Sequence, residues 1–130
     1  MEKYSFEPTS GPVVVHNDFA DWNMLTDGKN ITAILDWDEA CGGDSVADLA
    51  CWSMFFTIPR YEIFLKGYKE VGALPEDYEE RFHYYRLRYA ISKMALRAKR
   101  FIVDKSDFVK DKIEVGKKAL SEEVEWFENR

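Results

Sequence analysis

The chain has 130 residues, 46% of them hydrophobic and 15% aromatic, with a formal net charge of −6. That length supports one ordinary domain with a real core, and the composition excludes a disordered chain; no apolar run approaches the roughly 20 residues needed to span a bilayer. The acidic balance speaks against nonspecific binding to nucleic acid or to anionic membrane, both of which are driven by positive charge.

Residues 13–16, all β-branched up to His16, follow Gly11-Pro12 and read as a strand leaving a turn. Next come Asn23 to Thr26 and Ile31 to Asp36, two extended segments that flank Asp27-Gly28, a strong local hairpin signal. After Asp36 the pattern turns helical. Asp44 or Ser45 caps a predicted helix that runs to about Thr57, and Pro59 begins another that ends near Gly72. Tyr84, Leu87, Ile91, Met94, Ala98 and Phe101 recur at spacings of three and four and are assigned to one helix face. Val109, Ile113, Gly116, Leu120, Val124 and Phe127 repeat the pattern on a last helix, where Glu114 is placed to pair with Lys118. Strands in the first third and helices beyond it predict an α+β fold, a single domain spanning residues 1–130 with a loop and hairpin at 12–40 and helices at 44–130.

The charges are not spread evenly. Asp18, Asp21, Asp27, Asp36, Asp38, Glu39, Asp44 and Asp48 face the single base Lys29, a balance that suits a divalent cation or a cationic substrate. Cys41 and Cys51 form no metal-binding pair and read as reduced structural thiols. The start, from Met1 to Pro8, lacks the basic and then apolar run of a secretory signal, so a cytoplasmic location is expected.

His16-Asn17-Asp18-Phe19-Ala20-Asp21-Trp22-Asn23 fits the pattern H-x-D-x-x-x-x-N, and Asp36 follows at the end of the next hairpin strand. This order resembles the catalytic loop and metal-binding aspartate of the protein-kinase-like superfamily. Ile34-Leu35-Asp36-Trp37 and Gly43-Asp44 before Asp48-Leu49-Ala50 bring the resemblance to the aminoglycoside phosphotransferases, with hygromycin-type kinases as the nearest branch. It covers residues 12 to about 52 well and the later helices only in general character.

The resemblance implies the C-terminal, catalytic lobe of that fold, with a small β-hairpin platform packed on a mainly helical bundle. It implies transfer of the γ-phosphate of ATP to a hydroxyl of a small, aminoglycoside-like acceptor. Asp18 then meets the acceptor hydroxyl as the catalytic residue, and Asn23 and Asp36 hold Mg2+, a hard ion suited to oxygen ligands. His16 is structural in this pattern. Asp48 is also singled out by its own neighbourhood, as the one charged residue between Ser45 and Ile58; a carboxylate in so apolar a helix needs donors, and the family pattern supplies them from the catalytic loop's N–H groups.

Trp22, Asp38 and Glu39 lie beside this centre, where packing or solvation competes with substrate contact. Arg81, Arg86, Arg88, Lys93, Arg97, Lys99 and Arg100 read as a solvated basic face. The glycine-rich loop and lysine that grip a nucleotide are not visible in these residues, so the cofactor-binding residues and the substrate-binding residues stay unassigned. The expectation is an incomplete enzyme whose nucleotide-binding lobe is missing or supplied by a partner, with self-association through the apolar surface that lobe would cover, alongside a second reading as a non-catalytic binding module derived from such a lobe. A magnesium phosphohydrolase is a third, weaker alternative.

Overall fold

The computed structural model describes residues 11–54 and 58–130. Strand β1 (Val13–Val15) leads into the loop that begins at His16, and a short 3-10 turn at Asp21–Asn23 ends that loop. Strands β2 (Met24–Thr26) and β3 (Ile31–Ile34) form the expected hairpin. Its turn is closed by Asp27, whose Oδ1 accepts from the amides of Lys29 at 2.8 Å and Asn30 at 2.7 Å, while Gly28 takes the positive φ of 92° that a residue with a Cβ resists.

The stretch after Asp36 differs from expectation. A 3-10 turn at Trp37–Glu39 leads into a fourth strand, β4 (Cys41–Gly43), which runs back antiparallel along β1. Two glycines carry almost no strand propensity, so this element is made by its partner. A Cβ on Gly43 would approach Val15 Cγ2 to 3.0 Å, and the close pairing with β1 is what the missing side chain permits.

Helix α1 (Ser45–Ser53) starts as expected, with Asp44 as its N-cap: Asp44 Oδ1 accepts from the Val46 amide at 2.9 Å. The expected extension to Thr57 falls outside the described residues. Helix α2 (Ile58–Val71) ends where Gly72 donates back to the Tyr68 carbonyl, and α3 (Tyr78–Val103) and α4 (Asp107–Glu128) complete the chain.

Val15, Ala47, Cys51, Met54, Tyr89, Ala90 and Ala119 form the core, so β1, α1, α3 and α4 meet at one point. Small residues there let the helices approach closely, and each fully buried valine, such as Val46 or Val109, contributes about 1.5–3 kcal/mol. Gly116 is a point of close approach of α4 to α3, because a Cβ there would collide with Met94 Sδ. The α3 face is rotated from the expected one: Ile91 is 55% exposed, while Arg81, Tyr89 and Ala90 are buried. A 26-residue helix packed by different partners at its two ends has no single apolar stripe for a period to reveal. On α4, Val109 and Gly116 are buried as expected, but Glu123 takes the place assigned to Val124, and Glu114 pairs with Lys117 and not with Lys118.

Buried Glu123 is held by two groups of α3, His83 Nδ1 at 2.7 Å and Arg86 Nη1 at 2.9 Å. Arg81 pairs with Asp44 and, at 2.7 Å, with Asp77. The solvated basic face predicted for α3 is therefore incorrect for Arg81, Arg86 and Lys93, whose acidic partners lie up to 75 residues away in sequence. No helix among the described residues is long and apolar enough to cross a membrane.

Candidate active site

The site is built on the turn from β1. His16 is 1% exposed, and the amides of His16 and Asn17 donate to the two oxygens of Asp48, at 2.7 and 2.9 Å. One carboxylate on α1 thus satisfies two consecutive buried N–H groups, which no regular element could pair at a sharp bend. Burial pushes the Asp48 carboxyl above the usual carboxylate range, and the two amide bonds act against that shift.

The His16 ring bonds the Leu35 carbonyl through Nε2 at 2.8 Å and takes the Asp18 amide on Nδ1 at 3.3 Å. That pairing fits the tautomer with its proton on Nε2, which makes His16 a bridge between the loop and the end of β3. Its ring packs 4.7 Å from Trp37 and 5.9 Å from Phe19. Phe19 in turn meets Trp52, which stacks on Phe64, so an aromatic wall from α1 and α2 backs the loop.

Asn17 adopts a left-handed conformation, φ 66°, which asparagine tolerates better than most residues. Its amide nitrogen donates to the Glu39 carbonyl at 2.8 Å and to Cys41 Sγ at 3.1 Å, and its Oδ1 accepts from the Tyr89 hydroxyl at 2.7 Å. Cys51 lies beneath, and burial pushes its thiol up to about 12, which leaves it an inert packing group.

Asp18 follows. Its carbonyl accepts from Asn23 Nδ2 at 2.9 Å, its Oδ2 lies 3.5 Å from the same nitrogen, and its Oδ1 is 2.7 Å from Lys93 Nζ. With its nitrogen committed to Asp18, Asn23 keeps Oδ1 as a remaining acceptor. The Leu35 amide donates to the Asn23 carbonyl at 2.8 Å, and Asp36 is the next residue. Asp36 is exposed, has φ 65°, and its carboxylate makes no hydrogen bond or ion pair with another described residue.

The two oxygen groups suit Mg2+, which usually takes one or two protein ligands and leaves its other positions to water and phosphate. Among the described residues there is no cluster of three or more His, Cys, Asp or Glu side chains able to hold a metal. The five residues singled out in the sequence therefore share one loop-and-hairpin corner: His16, Asp18, Asn23, Asp36 and Asp48. Trp22 is 55% exposed, and Asp38 and Glu39 lie in the exposed 3-10 turn. Beside Lys93 opens a cavity of about 520 Å³ lined by Asn17, Glu39, Arg88, Tyr89 and Ser92. Lys93, Asn17 and Tyr89 were not recognised as site residues from sequence, because each acts through a partner on a different element.

The profile of the phosphotransferase enzyme family matches residues 6–87, more than half of the chain. A curated relative, hygromycin-B 4-O-kinase of Escherichia coli, is 48% identical over 46 residues, which are 35% of this chain and 13% of that protein. The match thus spans a small part of the relative's length. No solved structure matches. The chain belongs to the phosphotransferase enzyme family.

Proposed function

We propose that this chain supplies the catalytic and magnesium-holding lobe of an ATP-dependent phosphotransferase whose acceptor is a hydroxyl of an aminoglycoside-like molecule. The observation that carries this reading is the bond from the Leu35 amide to the Asn23 carbonyl, which brings Asp36 beside a residue whose side chain already holds Asp18. Three chemistries meet at one corner. Asp18 orients the acceptor hydroxyl and takes its proton late, since a loose phosphoryl-transfer transition state asks little of a base. Asn23 Oδ1 and the Asp36 carboxylate hold Mg2+, which when bound offsets the charge of the nucleotide's phosphates. His16 and Asp48 keep the loop in shape.

The nucleotide needs more than this corner. A loop over the phosphates and a lysine to grip them belong to the positioning on which phosphoryl transfer depends, and a further lobe or partner surface supplies them in this reading. Val14, Leu25 and Ile31, on β1 and on the hairpin, are exposed by 73, 49 and 62%, apolar side chains of the kind such a neighbour would cover.

Calorimetric titration with ATP and magnesium, followed by phosphate transfer to a panel of aminoglycosides, tests the reading. The 130 residues alone are expected to bind ATP poorly and turn over negligibly, and joining them to a nucleotide-binding lobe of the family should restore transfer. Absence of transfer from that joined protein would favour a non-catalytic binding module, and micromolar ATP binding with turnover by the 130 residues would overturn the need for a second lobe.

A further inference from the structure

The two aspartates of this corner are treated differently by the fold. Asp36 has no cationic neighbour among the described residues, whereas Asp18 is clasped by Lys93, which reaches across from the middle of α3 to Oδ1 at 2.7 Å. Neither partner is on open surface: the Lys93 side chain is 16% exposed and that of Asp18 25%. Partial burial strengthens such a pair well beyond a fully solvated one. The loop itself is already anchored by Asp48, Tyr89 and the aromatic wall, so the lysine acts on one carboxylate and not on the loop as a whole.

That carboxylate lies 3.5 Å from the amide nitrogen of Asn23. A free carboxylate beside Asn23 and Asp36 is a good ligand for Mg2+ or Mn2+, and a divalent cation would compete for it. An Asp18 drawn onto the metal would no longer be available to the acceptor. We propose that Lys93 is a positioning residue that keeps Asp18 out of the metal's coordination sphere and so reserves it for the acceptor hydroxyl. This rests on the assignment of Asn23 and Asp36 as metal ligands. The placement of Lys93 fits the role, because it also lines the 520 Å³ cavity beside Asn17 and Tyr89, room that an acceptor could occupy.

Mn2+ binding to the 130-residue chain, measured by electron paramagnetic resonance titration, tests the proposal without any turnover. Lys93→Gln should tighten Mn2+ binding on the order of tenfold, the scale expected when a nearby cation is removed and a carboxylate released. Lys93→Arg should return to the wild-type affinity, since it keeps the charge. In Asp18→Asn with Lys93→Gln, affinity should fall back to within about twofold of Asp18→Asn alone, as a double-mutant cycle requires if the freed carboxylate is the new ligand. A merely structural lysine would give weaker binding on removal. Unchanged or weaker binding in Lys93→Gln overturns the proposal, as does tightening that survives in the double variant, which would reflect charge alone. Asp36→Asn separates the two levels. If it abolishes binding while Lys93→Gln changes nothing, only the role of Lys93 fails; if it binds like wild type, or wild type binds no Mn2+, the metal assignment falls and the role of Lys93 with it.

Discussion

Asn17 and Asp36 share a left-handed backbone, φ 66° and 65°, in opposite settings. Asn17 is 9% exposed, and both ends of its amide are bonded; Asp36 is exposed, with a carboxylate that no other described residue engages. The first strained residue is over-determined by its surroundings, and the second is held by backbone neighbours with its functional group left outward. The same division runs through the corner. Behind the loop, Asp48, Tyr89, Phe19 and the Arg81–Asp44 pair fix its shape, while the side-chain oxygens of Asn23 and Asp36, the proposed metal ligands, are left without protein donors among the described residues.

If the rear of the loop carries the stability, damage there should be costly and damage at the outward edge formed by Asn23 and Asp36 cheap. Arg81→Met removes the cation from Asp44, the N-cap of the helix that carries Asp48, and strands a carboxylate that is 9% exposed. Thermal or denaturant unfolding should show a loss of about 3–5 kcal/mol. A smaller loss, about 1–3 kcal/mol, is expected for Asp48→Asn, because an amide offers one acceptor oxygen to the two amides of His16 and Asn17. An unchanged midpoint would deny Asp48 its part in holding the loop.

The comparison sharpens at the two left-handed residues. Asn17→Gly relieves strain but forfeits the bonds to Tyr89 and Glu39, so a net loss of about 1 kcal/mol or more is expected. Asp36→Gly forfeits no side-chain partner among the described residues and relieves a conformation that costs roughly 1–2 kcal/mol in an L-residue, so stability should stay level or rise by up to about 1 kcal/mol. Equal losses at the two positions would mean that Asp36 is held by contacts as Asn17 is.

The parts legible in the sequence are those set by local chemistry. The Asp27-Gly28 hairpin, the Asp44 cap and the capacity of Asp48 to collect buried donors each follow from a few neighbouring residues. What stayed hidden depends on distant partners. Strand β4 exists because Gly42 and Gly43 fit against β1, and a glycine pair reads as a turn in isolation. Arg81 and Lys93 looked like members of a solvated basic face, since nothing in the local spacing points to Asp44 or to Asp18. The family pattern brought Asp18, Asn23 and Asp36 together by analogy; the physical link between them, from the Leu35 amide to the Asn23 carbonyl, appears only once the hairpin has folded back.

The most direct measurement is the steady-state kinetics of Asp18→Asn in the chain joined to a nucleotide-binding lobe of the family, the protein that the proposed function calls for. In the proposed reading Asp18 addresses the acceptor and not the nucleotide, so kcat should fall by about 10²–10⁴-fold while ATP binding changes little. A near-normal kcat would contradict the assignment of Asp18 and, with it, the placement of the whole catalytic corner.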